Sequence, residues 1–419
     1  MKTRQTPQLH TLVHVIALAA IVLGAQTANA QDAHASAWPQ WLDEAMARED
    51  LELRIRKVEI DDGRIQTRLA GKPAAEPQAI EGGWYLPRDI DTGTPLECWV
   101  FTSIIDPATM ANTITEQSMA ASAKLGGPLG ERQLFFLDAG AINGTPYVAL
   151  EWFYAVGEGN DKAVGLAKVR VAVLGDYSFA CAHNLLGYRQ TFALAFEHFV
   201  REAKIERRSA TPYYEEITVQ RVGDQPVGIA HSTFTLDADG DTKISTMETM
   251  LMPVDGATLK ISDTWLFAWS RPDGTIINQR AARSENGELA MNLALDPLED
   301  GGWSVSGNFR GKDIEYELDA AAPMSELGQF LTVRDLLDDT GRDSASLPLW
   351  LPSADPSQFM NAEVAIDAGG REQGFGQLTI GPIAILAQFE KNGSLRYGTM
   401  AAGAAKITQE RIWVRGELF

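Results

Sequence analysis

The C-terminal half of this 419-residue chain is dominated by segments in which apolar and polar residues alternate. A strand places successive side chains on opposite faces, so this alternation predicts strands that bury one face. The clearest examples span Leu259 to Trp269, Leu289 to Leu295 and Ile314 to Leu318, with Asp-Gly or Asn-Gly turn signals between them. So many half-buried strands predict an antiparallel curved sheet resembling half a barrel.

Helical patterns distinguish the two halves of the chain. One helix is predicted inside the β-rich half, roughly from Met324 to Asp338. The N-terminal half mixes strands with two longer helices: one begins at Asp106-Pro107, and one carries phenylalanines at helical spacing. A charged stretch closed by Pro212 separates the halves. The predicted fold class is therefore α+β, with an α+β domain over residues 31–206 and a β-rich domain over 212–419.

The first thirty residues predict a secretory signal peptide. Lys2 and Arg4 precede an apolar stretch from Leu12 to Leu23, and Ala28-Asn29-Ala30 has the small-residue pattern of a cleavage site. No later segment has eighteen consecutive apolar residues, so we expect no membrane anchor after cleavage. The predicted location is the periplasm or the medium outside a Gram-negative-type cell.

The charge of the chain limits its partners. The formal net charge is −20 at pH 7. Bringing nucleic acid phosphates or an anionic membrane surface to such a field is unfavourable at moderate salt. We therefore expect neither as a direct partner.

Two cysteines, Cys98 and Cys181, lie on predicted strands of the N-terminal half. In an oxidising compartment they predict one disulfide, worth on the order of 4 kcal/mol in the chain-entropy model. An alternative rests on His183, which shares a strand face with Cys181. These two residues would form a Cys–His nucleophile pair, or, together with Cys98, a zinc site.

The segment from Asp237 to Glu248 resembles the calcium loop of EF-hand proteins. Its acids at the first, third, fifth and twelfth positions are Asp237, Asp239, Asp241 and Glu248. Thr242 replaces the glycine of the sixth position, and the flanking segments are predicted strands rather than helices. We therefore interpret it as a polar hairpin tip and predict no metal, with calcium as the alternative.

Enzyme signatures are missing from the sequence. It contains no serine nucleophile elbow, no phosphate loop and no helical zinc motif, and no cofactor is implied. Acid pairs such as Glu215-Glu216 and Asp338-Asp339 are interpreted as solvated. Methionines and tryptophans on predicted inward strand faces are interpreted as ordinary core, with an adaptable apolar cavity as the alternative. The residues chosen as ligand-lining are Trp265, Phe267, Trp269 and Met291.

Resemblances to known families agree with this organisation. The stretch from Tyr213-Tyr214-Glu215 through Val227-Gly228 resembles the start of β domains that precede transglutaminase-like domains in exported bacterial proteins. The strand, helix, strand order is similar to the half-barrel of the lipoprotein carriers of the Lol pathway. In the N-terminal half, the strands Ala167 to Leu174 and Tyr177 to Ala182 and the closing helix resemble Mog1/PsbP-like domains. The whole resembles an exported bacterial protein of a family without assigned function.

The function expected from the sequence is that of an exported, non-enzymatic binding or accessory protein. It would hold an apolar or lipid-like ligand in the C-terminal sheet, or present a surface to an envelope protein. The alternatives are a hydrolase or thiol enzyme that uses Cys181 and His183, and a purely structural envelope protein.

Overall fold

The computed structural model describes residues 39–90, 94–159, 162–206, 210–402 and 405–418. These residues form four α-helices and large antiparallel curved sheets that do not close, which confirms the predicted β-rich α+β class. The predicted signal peptide lies outside the described residues. Within the described ranges, no helix is long and apolar enough to cross a membrane.

The described chain divides into two compact units. The N-terminal unit comprises residues 39–210 and 250–261, and the C-terminal unit comprises 211–249 and 262–418. The predicted domain boundary at 206 to 212 stays a prediction, and residues 207–209 lie outside the described ranges.

The N-terminal unit holds a three-stranded and an eight-stranded sheet. The smaller has the order β1-β2-β11, and the larger has the order β3-β5-β6-β10-β9-β8-β7 with β4 beside β5. The elements are α1 (Gln40–Met46), β1 (Ile55–Ile60), β2 (Ile65–Ala70), β3 (Lys72–Pro73), β4 (Gln78–Ile80), β5 (Gly83–Ile90), β6 (Thr94–Phe101), α2 (Pro107–Gly126), β7 (Leu129–Ile142), β8 (Thr145–Val156), β9 (Ala163–Leu174), β10 (Tyr177–His183), α3 (Arg189–Arg201) and β11 (Lys204–Ile205).

Helix α3 supplies the aromatic centre of this unit. Phe192, Phe196 and Phe199 recur every three or four residues, so they share one helix face, and all three are buried. Phe199 makes an edge contact with Phe179 of β10, with ring centroids 5.1 Å apart. The aromatic stripe predicted from spacing is therefore core packing against the strands.

The C-terminal unit is built on one fourteen-stranded antiparallel sheet. Its order is β19-β18-β17-β16-β15-β14-β13-β12-β25-β24-β23-β22-β21-β20. The elements are β12 (Tyr214–Val222), β13 (Gln225–Leu236), β14 (Thr242–Pro253), β15 (Leu259–Ser270), β16 (Ile276–Glu285), β17 (Glu288–Pro297), β18 (Trp303–Phe309), β19 (Lys312–Leu318), α4 (Glu326–Asp338), β20 (Ser344–Trp350), β21 (Phe359–Ile366), a single turn of 3-10 helix (Arg371–Gln373), β22 (Phe375–Ile380), β23 (Ile383–Phe389), β24 (Leu395–Ala402) and β25 (Ala405–Gly416).

Helix α4 connects the two edge strands of this sheet. The chain leaves edge strand β19, forms α4, and returns as the opposite edge strand β20. The helix therefore crosses one face of the sheet, where Leu327 and Phe330 pack against Phe234 and Ile244 of the central strands. Its last turns pack against β20 to β23 through Val333 and Leu336, whose cluster is a separate apolar core.

Candidate functional site

Three cavities lie in the interior of the C-terminal unit: helix α4 lines two of them, and strands β14 to β17 with the segment that ends β20 line the third. The largest, here called the main cavity, has a volume of about 70 Å³. A middle cavity of about 20 Å³ shares Glu326 and Gln329 with it. A far cavity of about 40 Å³ shares Leu266, Trp350 and Leu351 with the middle one. The voids therefore follow one another through the interior, separated by these side chains.

The walls of the main cavity are almost entirely apolar. Helix α4 contributes one wall, and strands β20 to β24 contribute the other. Alternation along these strands directs one side chain in two toward the helix, so each strand supplies one to three wall residues. The apolar lining residues are Phe330, Val333, Leu347, Val364, Leu378, Ile385, Ala387, Phe389 and Leu395.

One end of the main cavity is polar and is formed by Glu216, Glu326, Gln329 and Gln409. Glu216 on β12 accepts a hydrogen bond from the Tyr214 hydroxyl at 2.5 Å.

An arginine, Arg411, lies beside the polar end, and its Nη1 is 3.6 Å from Glu216 Oε2. The same guanidinium donates to Glu390 at 2.8 Å. Arg411 thus forms ion pairs with two carboxylates beside the cavity.

Glu326 is the first residue of α4 and is buried. Its carboxyl oxygens accept hydrogen bonds from the Ser232 hydroxyl at 3.2 Å and from the Thr246 hydroxyl at 3.1 Å. Burial, followed by repulsion from Glu216, raises the pKa of Glu326 to about 8. At neutral pH this carboxyl is therefore mainly protonated.

Gln409 completes the polar end from strand β25. Its side chain is buried, and Nε2 donates to the Thr218 hydroxyl at 3.3 Å. No donor from the described residues reaches its Oε1. A buried carbonyl without a donor is unfavourable, so this atom marks a place for a hydrogen-bond donor.

The far cavity repeats the pattern of apolar walls and one acid. Met291 and Leu266 line it beside Glu248 of β14. Glu248 accepts a hydrogen bond from Gln220 Nε2 at 2.6 Å, and burial raises its pKa. This is the acid that the calcium-loop interpretation placed at the twelfth position.

The structure separates the residues predicted to line a ligand site. Met291 lines the far cavity. Trp265, Phe267 and Trp269 alternate along β15 with Leu266 and Ala268, which line the cavities, so the aromatic rings lie on the opposite face. There Lys243 Nζ lies 5.9 Å and 5.5 Å from the ring centroids of Phe267 and Trp269. That the three aromatic residues line a ligand site stays a prediction. The residues of β15 that line the cavities are Leu266 and Ala268.

The calcium-like segment is the tip of the β13–β14 hairpin. Asp237 Oδ1 accepts hydrogen bonds from the backbone of Asp239 and Asp241, each at 3.0 Å. Glu248 is six residues beyond Thr242 along β14, a distance of about 20 Å in an extended strand. The fourth acid therefore lies far from the other three. The described residues contain no group of three or more potential ligands that could hold a metal.

The predicted disulfide is present. Cys98 on β6 and Cys181 on β10 are directly paired, with α-carbons 4.1 Å apart. Because the sulfur of Cys181 is bonded to Cys98, the structure provides no thiol for a Cys181–His183 pair. His183 is buried against Tyr188 and Phe192, and burial strongly lowers its pKa.

The sequence did not indicate that the N-terminal unit contains a buried lysine. Lys168 on β9 is fully buried, and its Nζ donates to the backbone oxygens of Leu166 and Leu185. Burial lowers its pKa to about 7. The neighbouring Glu151 is bonded to Arg189 at 2.5 Å. The Lys168–Leu185 contact ties the segment after β10 to strand β9, and the Glu151–Arg189 pair ties α3 to β8, so both contacts have a structural role.

Comparisons with known proteins yield weak structural neighbours. No protein-family model and no curated protein matches the chain. The chain is similar to a beta-barrel-like protein of domain of unknown function DUF1849 from Brucella abortus. That match has 14% identity and a TM-score of 0.37, and covers 48% of this chain and 97% of the other. It is also similar to cyanobacterial PsbP from Synechocystis, with 13% identity and a TM-score of 0.24, over 36% of this chain and 92% of the other.

The polar residues of the cavity were missed by sequence reasoning. The pair Glu215-Glu216 was interpreted as solvated, and that interpretation is wrong because both side chains are buried. Asp338 and Asp339, by contrast, are exposed. No signal in the sequence indicated this burial, because β12 is buried along most of its length only in the folded protein.

Proposed function

We propose that this protein is an exported, non-enzymatic binding protein that holds an apolar small molecule between helix α4 and the curved sheet. The observation that carries the proposal is the main cavity, which combines apolar walls with a few converging polar groups. Ligand sites in proteins commonly have this composition.

Export is part of the proposal. It is supported by the signal-peptide pattern of residues 1–30 and by the Cys98–Cys181 disulfide, since disulfides persist mainly in oxidising compartments. We place the protein in the periplasm or in the medium outside the cell.

Ligand entry requires helix α4 to move. The main cavity holds about 70 Å³, whereas sites for drug-sized ligands hold roughly 300 to 1,000 Å³. The N-terminus of α4 is fixed, because the Ser325 backbone and hydroxyl both donate to Gly274 O, at 2.9 and 3.0 Å. The C-terminal end is held by Arg371, which donates to the backbone oxygens of Leu336 and Asp339, so opening the proposed lid at that end requires these hydrogen bonds to break.

Binding of the uncharged dye N-phenylnaphthylamine tests this function. We expect saturable fluorescence enhancement by the wild-type protein. Val333→Phe places a larger side chain into the main cavity and should abolish the enhancement. The same substitution at the exposed Val414 is the matched control and should leave it unchanged.

Overpacking a core costs about 1 to 3 kcal/mol, so the melting temperature of each variant must be measured alongside. A folded Val333→Phe protein that still binds the dye like the wild type would contradict the proposed site. Absence of binding by the wild type would refute the apolar-ligand role and leave an envelope protein as the proposed partner.

A further inference from the structure

The polar end of the main cavity combines the carboxyl groups of Glu216 and Glu326 with the amides of Gln329 and Gln409, so acceptor atoms outnumber donor atoms there. Glu216 and Glu326 present carboxyl oxygens, and Gln409 presents the Oε1 atom that no described donor reaches. The residues that line the main cavity include neither lysine nor arginine. The nearby Arg411 bonds Glu216 and Glu390 and so is already shared.

An occupant must complement these acceptors with donors. An anionic head would meet Glu216 at close range in a low-dielectric interior, which is strongly unfavourable. A hydroxyl supplies a single donor, whereas a protonated primary amine supplies three donors and a positive charge. The apolar walls from Phe330 to Leu395 accommodate the rest of the molecule.

Building on the proposed ligand-binding role, we propose that the ligand is a primary amine with an apolar tail. Its ammonium group lies at Glu216, Glu326 and Gln409 Oε1, and its tail lies along the apolar walls of the main cavity. The site therefore selects the head group by charge and donor number, and the tail by apolar burial.

Binding has a proton balance that can be measured. Without ligand, Glu326 holds a proton at neutral pH because its pKa is about 8. The arriving ammonium keeps its own proton and stabilises the Glu326 carboxylate, so the carboxyl proton passes to the solvent. At pH 7 a group with this pKa releases about 0.9 proton per ligand bound.

Titration calorimetry with hexylammonium, hexanol and hexanoate tests the head-group preference. Measurements at pH 7 in two buffers of different ionisation enthalpy give the number of protons released. We expect hexylammonium to bind at least about tenfold more tightly than the other two, the ratio given by one charge-assisted hydrogen bond. We also expect release of about one proton.

Glu326→Gln should abolish both the proton release and the preference, while Glu363→Gln at an exposed position of β21 should change neither. Gln409→Leu, which removes the acceptor without touching α4, should weaken hexylammonium binding several-fold and serves as the second variant. If N-phenylnaphthylamine binds but the three head groups bind equally, the amine preference is refuted and the apolar role stands. If neither the dye nor any hexyl compound binds, the proposed function itself fails.

Discussion

Replacing Glu326 by glutamine should remove a pH dependence from the stability of the C-terminal unit. The pKa of this carboxyl is about 8 in the folded protein, against 4.5 for a solvated glutamate. Between these values the folded state binds more protons than the unfolded state, so the free energy of unfolding falls as pH rises. The stabilisation is complete below about pH 4.5 and is lost as pH rises through about 8.

The magnitude follows from the gap between the two pKa values. Each pH unit within the window changes the free energy of unfolding by up to about 1.4 kcal/mol. Over the whole window the contribution approaches 5 kcal/mol, to order of magnitude. Glutamine does not titrate, so the variant lacks this contribution. Burial also raises the pKa values of Glu216 and Glu248, which both proteins retain, so the comparison measures the loss of the Glu326 carboxyl together with its repulsion of Glu216.

Urea unfolding followed by tryptophan fluorescence, at intervals from about pH 5 to about pH 8, measures the effect. We expect the wild type to lose stability relative to Glu326→Gln by roughly 1 kcal/mol per pH unit. Glu363→Gln is the matched control, and it should follow the wild type at every pH. Parallel curves for the wild type and Glu326→Gln would refute the raised pKa.

Four further predictions concern the rest of the chain. Replacing Cys98 and Cys181 by serine should lower the free energy of unfolding on the order of 4 kcal/mol, measured by urea unfolding; an unchanged midpoint would contradict the estimate. Gly393→Ala should destabilise by about 1 to 3 kcal/mol, because φ is +84° and the new Cβ would lie 1.9 Å from the backbone oxygen of residue 330. Gly223→Ala, with φ of +60° and open space around it, is the control and should cost less. Limited trypsin digestion should cut at the paired arginines 207 and 208 and release two stable pieces; earlier loss of the C-terminal strands would refute that boundary. Melting curves with calcium and with chelator should overlap, and a calcium-dependent rise would show that the β13–β14 hairpin tip binds the ion.

Local patterns determined most of the secondary structure. Alternation predicted the strands, and the cap at Asp106-Pro107 matched the start of α2 at Pro107. The sequence predicted the disulfide because two cysteines allow a single pairing, and the structure decided between it and the Cys181–His183 alternatives. The strands and the helix start depend on residues close in sequence, so no knowledge of the tertiary arrangement was needed to predict them.

The tertiary structure alone decided which strand face is internal and where the cavity lies. On β15 both faces carry apolar residues, so alternation could not tell whether Trp265 or Leu266 faces the cavities. Likewise, Glu216 and Glu326 are distant in sequence and meet because α4 crosses from one sheet edge to the other. Burial of a strand face depends on the helix that covers it, and that contact joins residues too far apart for a local pattern to record.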